Sequence, residues 1–459
     1  MKTVAFHNLG CKVNTYEMEV MQQKFENAGY IIVPFDEKAD IYVVNTCTVT
    51  NIADRKSRQM LHRAKKMNED GIVVATGCYA QTDTAGATKD EAIDIVIGNN
   101  HKAEIVQIVE AYAKDMVKLT KVDNLSVPVE YEESSIDHSD SRTRVDIKIQ
   151  DGCNQFCSYC IIPFARGRVR SRDMESIVEE ITKLAKEGFK EVVLTGIHLS
   201  SYGLDFHPEA DGGVPSYNMV AGEGDFTNRD LIEVINKVSA IPGIERIRLG
   251  SLEPRVITDE FLAAISSNAK VCPHFHLSMQ SGCDSTLKRM NRRYTTSEFY
   301  DRVQLLRKYF DNPAITTDII TGFPGEDEEE FAQTVEFVKK VDFYETHLFK
   351  YSKRKGTVAE KLPNQNTEAV KAARSNVLQM ICDEKKHAYM ESYIGRETTI
   401  LIEEEKVIDG VRYLIGHTPN YIRVVTDRKD VEINEIISGK LDGFVTSDIL
   451  SISDTLPVS

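Results

Sequence analysis

Apolar and polar positions alternate in blocks along this chain, and the blocks change character between regions. In residues 1–118, short apolar runs at 4–6, 41–44, 72–75 and 93–97 read as buried strands. Between them, Met18, Met21 and Phe25 fall at helical spacing and stop near Gly29, and a second helix, about 54–67, is studded with Arg and Lys. Alternation of strand and helix implies a parallel sheet with helices packed on it. Residues 119–140 lose the pattern. Pro128, the acidic Glu130, Glu132, Glu133, Asp137 and Asp140, and several serines predict a solvated linker. Over 141–375 the alternation resumes, with candidate strands at 145–149, 191–195, 246–250, 275–277, 315–320 and 346–350. Helical patterns at 174–188, 230–240, 297–309 and 328–341 separate them. These repeats are too few for an eightfold barrel. A partial (β/α)6 barrel leaves a mouth wide enough for a large substrate. Residues 205–228, rich in Gly, predict a long surface loop. After a helical stretch from Glu368 to about Met390, residues 388–453 break into β-like runs at 398–402, 411–415, 421–425 and 444–446, the pattern of a small β-barrel. The expected fold class is α/β throughout, with that barrel appended.

Composition narrows the function classes. The chain has 459 residues, 41% hydrophobic and 28% charged, with a net charge of -15, which excludes a uniformly basic nucleic-acid coat. Its apolar runs are too short to span a bilayer, so no membrane association is expected. The opening Met1–Phe6 lacks the apolar core of a secretory leader, and a cytoplasmic location with reduced thiols is the expectation. Nine cysteines in that setting point to metal or redox chemistry.

Cys153, Cys157 and Cys160 form a C-x3-C-x2-C motif just after the first barrel strand, with no fourth Cys or His nearby. A structural zinc site wants four ligands, and a closed [4Fe–4S] cluster four thiolates. Three leave one iron open to a small ligand. The motif in this position resembles the radical S-adenosylmethionine (SAM) superfamily, in which the open iron holds the amino and carboxylate groups of SAM. The resemblance implies that Tyr159 lies beside the adenine. Thr195 and Gly196 end the second strand and could approach the amino group. Gly322 follows the fifth strand, as a backbone approach to SAM or simply a tight turn. Gln280 lies beyond the fourth strand, either bonded to SAM or fixing a turn. His198, His274 and His276 are expected to satisfy core hydrogen bonds.

Cys11, Cys47 and Cys78 are 36 and 31 residues apart, about one strand–helix unit each, and each follows an apolar strand. The carboxyl ends of parallel strands share one edge of the sheet, where ligands gather. The three could converge there, or be ordinary buried cysteines. The flanking Leu9-Gly10-Cys11-Lys12-Val13-Asn14, Asn45-Thr46-Cys47-Thr48-Val49-Thr50 and Gly77-Cys78, with residues 162–172 after the cluster motif, resemble the methylthiotransferase family. The Gly-Cys-Lys-Val-Asn form resembles its MtaB type, which acts on N6-threonylcarbamoyladenosine in tRNA. That resemblance implies two [4Fe–4S] clusters, one on Cys153, Cys157 and Cys160 for reductive SAM cleavage and one on Cys11, Cys47 and Cys78 carrying sulfur. It implies conversion of C–H to C–SCH3 at C2 of the modified adenine beside the anticodon. The partners would be the tRNA anticodon loop, a reducing electron donor and a sulfur source, and a monomer would suffice. It also implies that the terminal barrel is a TRAM domain. Cys272, Cys283 and Cys382 are expected to be packing residues.

For RNA, residues 142–172 carry seven Lys/Arg against two acids, 7 − 2 = +5, which predicts a phosphate-binding rim of Arg166, Arg168, Arg170 and Arg172. In residues 391–453, seven Lys/Arg stand against twelve Asp/Glu, so any grip by the terminal barrel rests on individual residues: Arg412, Tyr421, Arg423, Arg428 and Lys429. Competing readings are a sister enzyme acting on isopentenyl-adenosine or a ribosomal-protein aspartate, and a non-catalytic metal-bearing RNA-binding protein.

Overall fold

The computed structural model describes residues 2–127, 129–139, 143–207 and 228–453. Its amino-terminal sheet contains β1 (Thr3–Asn8), β2 (Ile31–Val33), β3 (Ile41–Thr46), β4 (Ile72–Gly77), β5 (Ile95–Ile97) and β6 (Leu119–Lys121), all parallel, in the order β2-β1-β3-β4-β5-β6. Strands β3 and β4 are buried at every position. Helices cover both faces, so the apolar runs need not alternate. Met21, Phe25 and Ile105 pack on one side, and Leu61 and Ala64 on the other. The edge strands β2 and β6 were not anticipated, being too short to show a period.

The linker expectation needs correction. Strand β6 carries the sheet past residue 118, and the segment that follows is exposed at many positions but anchored at others. Leu125 and Ile136 are buried. The Tyr131 hydroxyl donates to the Lys148 carbonyl, and the Glu132 carboxylate accepts from the Ala103 amide. Glu132 accepts from the amino-terminal domain, and Glu133 from Ser176 and Arg172 of the central one. Pro128 and Asp140 lie outside the described residues.

The central unit holds β7 (Arg144–Asp151), β8 (Arg170–Ser171), β9 (Glu191–Gly196), β10 (Arg246–Leu249), β11 (His274–His276), β12 (Ala314–Thr321) and β13 (Glu345–Lys350). Two sheets, β10-β9-β7-β8 and β11-β12-β13, are joined by single parallel bridges, Ile247 to Val271 and Leu252 to Leu277. The parallel strands β7-β9-β10-β11-β12-β13 therefore curve into the expected open barrel, with β8 antiparallel beside β7. Val145, Ile147 and Ile149 of β7 join the largest core with Ile177 and Ile181 of the helix Met174–Lys186. Alternate residues of a strand face opposite sides, so Arg144, Asp146, Lys148 and Gln150 face inward. The lumen is thus polar, unlike the branched aliphatic filling of a closed barrel. Of the glycine-rich loop, residues 208–227 lie outside the described residues.

The helix Glu368–Glu391 packs on β13 and leads to a closed barrel of β14 (Glu397–Ile408), β15 (Val411–His417), β16 (Arg423–Thr426), β17 (Ile436–Thr446) and β18 (Ile449–Ser453), ordered β14-β15-β16-β18-β17. It docks on the amino-terminal ends of the central strands. Arg246 donates to the carbonyls of His417 (2.8 Å) and Thr399 (3.1 Å), and Arg248 to that of Pro419 (2.9 Å). Among the described residues no helix is long and apolar enough to cross a membrane.

Candidate active site between two cysteine trios

Strands β1, β3 and β4 are neighbours, with Asn8 opposite Asn45 and Thr46 opposite Gly77. Their carboxyl ends deliver Cys11, Cys47 and Cys78 to one edge. Two glycines make the turns possible. Gly10 has φ +129°, and a Cβ there would lie 3.4 Å from Cβ of Cys47. Gly77 has φ +92°, and a Cβ would meet the Thr46 carbonyl at 2.5 Å. The three thiols sense one another electrostatically. Burial pushes Cys47 up to about 11 and raises Cys11, which nonetheless opens to solvent. Metal loading must therefore release protons from them.

The second trio follows β7. Gly152 has φ +72°, and a Cβ would fall 1.8 Å from the Arg168 carbonyl, so only glycine lets the chain double back before Cys153. Backbone bonds fix the loop: Cys153 N to Gly167 O (3.0 Å), Ser158 N to Met290 O (3.0 Å) and Ala359 N to Ser158 O (2.7 Å). Burial raises Cys153 and pushes Cys160 up to about 12. Arg292, which carries no motif that would single it out in the sequence, donates to Sγ of Cys157 at 3.3 Å. It also reaches Glu253 (3.5 Å) and the Ser278 carbonyl (2.9 Å). Burial alone would raise Glu253, but Arg292 and His198 hold it at about 2.

The trios face each other. The helix Cys78–Thr82 packs against the helix Ile162–Arg166, Asn99 donates to the Ala165 carbonyl at 2.7 Å, and Cys160 feels the charge of Cys78. In neither trio do all three sulfurs lie within 4.8 Å of one another. Ligands of a single tetrahedral zinc with Zn–S of about 2.3 Å would sit roughly 3.8 Å apart. The wider spacing and the three-thiol donor sets fit an iron–sulfur cluster at each trio.

Residues 147–338 match the radical SAM superfamily, and residues 3–98 match a family described as "Uncharacterized protein family UPF0004". The threonylcarbamoyladenosine tRNA methylthiotransferase MtaB of Bacillus subtilis (strain 168) is 40% identical over 96% of this chain and 94% of its own length. Its namesake from Aquifex aeolicus (strain VF5) is 39% identical over 88% of this chain and 93% of that one. The chain belongs to the MtaB-type radical SAM methylthiotransferases. A sister enzyme of that wider family, the tRNA-2-methylthio-N(6)-dimethylallyladenosine synthase of Clostridium botulinum (strain Loch Maree / Type A3), is 34% identical over 86% of this chain and 84% of its own length. The radical SAM methyltransferase TsrM from Kitasatospora setae, solved with tryptophan and a SAM analogue, shares the fold at a TM-score of 0.51 and 16% identity, covering 76% of this chain and 73% of that one.

The other candidates of this methylthiotransferase sort by their contacts. Tyr159 stands edge-on to Phe323, with ring centroids 6.3 Å apart. Gln280, at φ +69°, bridges Asp318 and Ile320 through its backbone, and its side-chain amide makes no hydrogen bond among the described residues. Thr195 is buried. Two glycines have packing reasons. A Cβ at Gly196 would meet Oε1 of Gln150 at 2.8 Å, and one at Gly322 would meet Cγ of Lys371 at 2.4 Å. His198 bonds Ser201 (2.7 Å) and His276 bonds Thr316 (3.0 Å), as expected of core imidazoles, whereas Nδ1 of His274 has no hydrogen-bond partner among the described residues. Cys272, Cys283 and Cys382 are buried.

The basic rim is the main correction. Arg166, Arg170 and Arg172 are buried. Arg166 donates to Glu17 (2.5 Å) and Asn14 (2.6 Å), Arg170 to Asp151 (3.1 Å), and Arg172 to Glu180. Lys102 and Lys148 also reach Glu17, and Lys148 reaches Asp151 at 2.7 Å. These charges knit the first two domains together because a buried cation survives only when paired. Sequence could not reveal this, since Glu17 and Asp151 are remote from each other along the chain. Arg168 lies over the Phe156 ring at 4.5 Å. Tyr421 is likewise interdomain, stacked between His274 and His417. Arg412 is exposed beside Glu405, Arg423 pairs with Asp448 at 3.3 Å, and Arg428 pairs with Asp430 at 2.8 Å.

Proposed function

We propose that this protein is the methylthiotransferase that converts N6-threonylcarbamoyladenosine beside the tRNA anticodon into its 2-methylthio derivative. The observation that carries this reading is the facing pair of three-thiol sites on a chain 40% identical over 96% of its length to a curated MtaB. Cys153, Cys157 and Cys160 hold one [4Fe–4S] cluster, and Cys11, Cys47 and Cys78 the other. When bound, these clusters and SAM supply the one-electron chemistry and the methylthio group that replaces hydrogen at C2.

The chain's own residues do the rest. Arg292 places a cation against the Cys157 sulfur and orients it. Tyr159 and the free amide of Gln280 border the SAM site, with Thr195, Gly196 and Gly322 on the same rim. The polar, open lumen admits an adenine unstacked from a loop, which costs less than extrusion from a duplex. Arg168, Arg412 and Arg423 remain the candidate phosphate contacts. The units are an amino-terminal sheet domain reaching Lys121, a central domain to about residue 375, and a TRAM-like barrel over 388–453. A cytoplasmic monomer, with an electron donor and a sulfur source as partners, completes the reading.

The test is anaerobic reconstitution with iron, sulfide, SAM and reductant, followed by nucleoside mass spectrometry of tRNA carrying either N6-threonylcarbamoyladenosine or isopentenyl-adenosine. Conversion of the former alone is expected. Conversion of the isopentenyl base alone would assign the sister activity, and no reductant-dependent 5′-deoxyadenosine would remove the enzymatic reading.

A further inference from the structure

The lumen beneath the trios is lined with charge, most of it already paired. Asp146 of β7 and Arg248 of β10 stand opposite the same residue, Val193 of β9, and so face the same way. Arg248 is held by Glu191 at 2.8 Å and by the Pro419 carbonyl, and Arg144 by Glu403 at 3.4 Å. Across the lumen Asp318 is in register with His347, and His276 lies 3.3 Å from Asp318.

Lys12 differs from the arginines of this wall, which are paired, and like Asp146 it has no ion pair among the described residues. It follows Cys11 directly, it is exposed, and its side chain makes no hydrogen bond or ion pair among the described residues. The charges it senses are Asp146, Arg144, Arg248 and Glu191, all at lumen-facing positions of the barrel. Its ammonium therefore looks from the first trio into the barrel. Asp146 is the acid it senses most, yet the two lie too far apart to pair, and Glu191 is taken by arginines. An exposed cation directly after Cys11, with no ion pair of its own, can receive an anion. On the target base the threonylcarbamoyl arm alone carries one, its carboxylate. An isopentenyl arm would desolvate the ammonium and return no hydrogen bond.

We propose that Lys12 is a specificity-determining residue that takes the carboxylate of the threonylcarbamoyl arm, holding the base between the two cysteine trios. This rests on the functional reading above. A charge-assisted hydrogen bond of this kind is worth about tenfold to a hundredfold in selectivity.

The experiment compares holoenzyme and its Lys12→Met, Lys12→Gln and Lys12→Arg variants. The substrates are anticodon stem-loops carrying the threonylcarbamoyl base, as free acid or as methyl ester. The wild type should favour the acid at least about tenfold in KM. Lys12→Met and Lys12→Gln should reduce that preference to about twofold or less, with the iron content of the parent, and Lys12→Arg should keep most of it. If Lys12→Met loads less iron, Lys12→Gln is read in its place, and failure of both to load would overturn the assignment in favour of a structural role. A variant that keeps the full preference overturns the proposal, as does one that loses acid and ester equally, which would make Lys12 a phosphate contact. A wild type that converts acid and ester alike sinks Lys12 alone. A wild type that converts neither sinks the functional reading itself.

Discussion

Replacing Arg166 by Met separates the structural role of the buried arginines from the phosphate-binding role that their sequence suggests. The side chain is fully buried and donates to Glu17, Asn14 and Asp151. Methionine keeps much of the volume and removes the charge. Glu17 would retain Lys102 and Lys148, and Asp151 would retain Lys148 and Arg170, so neither carboxylate is orphaned. The Asn14 side-chain carbonyl would lose its donor. The loss is therefore expected at the lower end of the range for breaking a buried ion pair, about 3 kcal/mol. Urea denaturation of the metal-free protein, read by circular dichroism, measures it. Arg412→Met is the control: its pair with Glu405 is exposed and should be worth under about 1 kcal/mol. Unchanged stability of Arg166→Met, together with weaker RNA binding and a shallower salt dependence, would refute the structural assignment.

Cys157→Ala should abolish reductive SAM cleavage, whereas Cys47→Ala should spare it and stop methylthiolation; each should lower iron from about eight to about four per chain. A Cys47→Ala enzyme that still makes the methylthio product would remove the first trio's role. Gly152→Ala forces a methyl group to within 1.8 Å of the Arg168 carbonyl, backbone that cannot yield, and should cost the irons of the second site while leaving those of the first; a full complement would contradict the geometry. Glu191 and Glu253 sit at about 2, below their ordinary 4.5, so the stability each adds is complete above about pH 4.5 and is lost as pH falls through 2. In acid titrations followed by circular dichroism, Glu191→Gln and Glu253→Gln should flatten the loss in that window, and slopes equal to the parent's would argue against it.

Much of this protein is written locally. Apolar runs and their helical intervals mark the main strands of both α/β units, because each element buries its own stripe or face. The C-x3-C-x2-C loop is a single short segment, so its three candidate ligands are legible without a fold. Cys11, Cys47 and Cys78 become a site only because β1, β3 and β4 are adjacent and parallel, a relation between strands that the sequence implies through topology alone. The arginines after Cys160 show the opposite case. Seven basic residues in thirty-one positions read as a surface, yet what decides burial is whether a partner waits, and Glu17, Asp151 and Glu180 arrive from other elements. The same holds for Lys12. It sits near the charges of the barrel wall, and only the assembled structure shows that its ammonium has no ion-pair partner among the described residues, because the groups around it arrive from other elements.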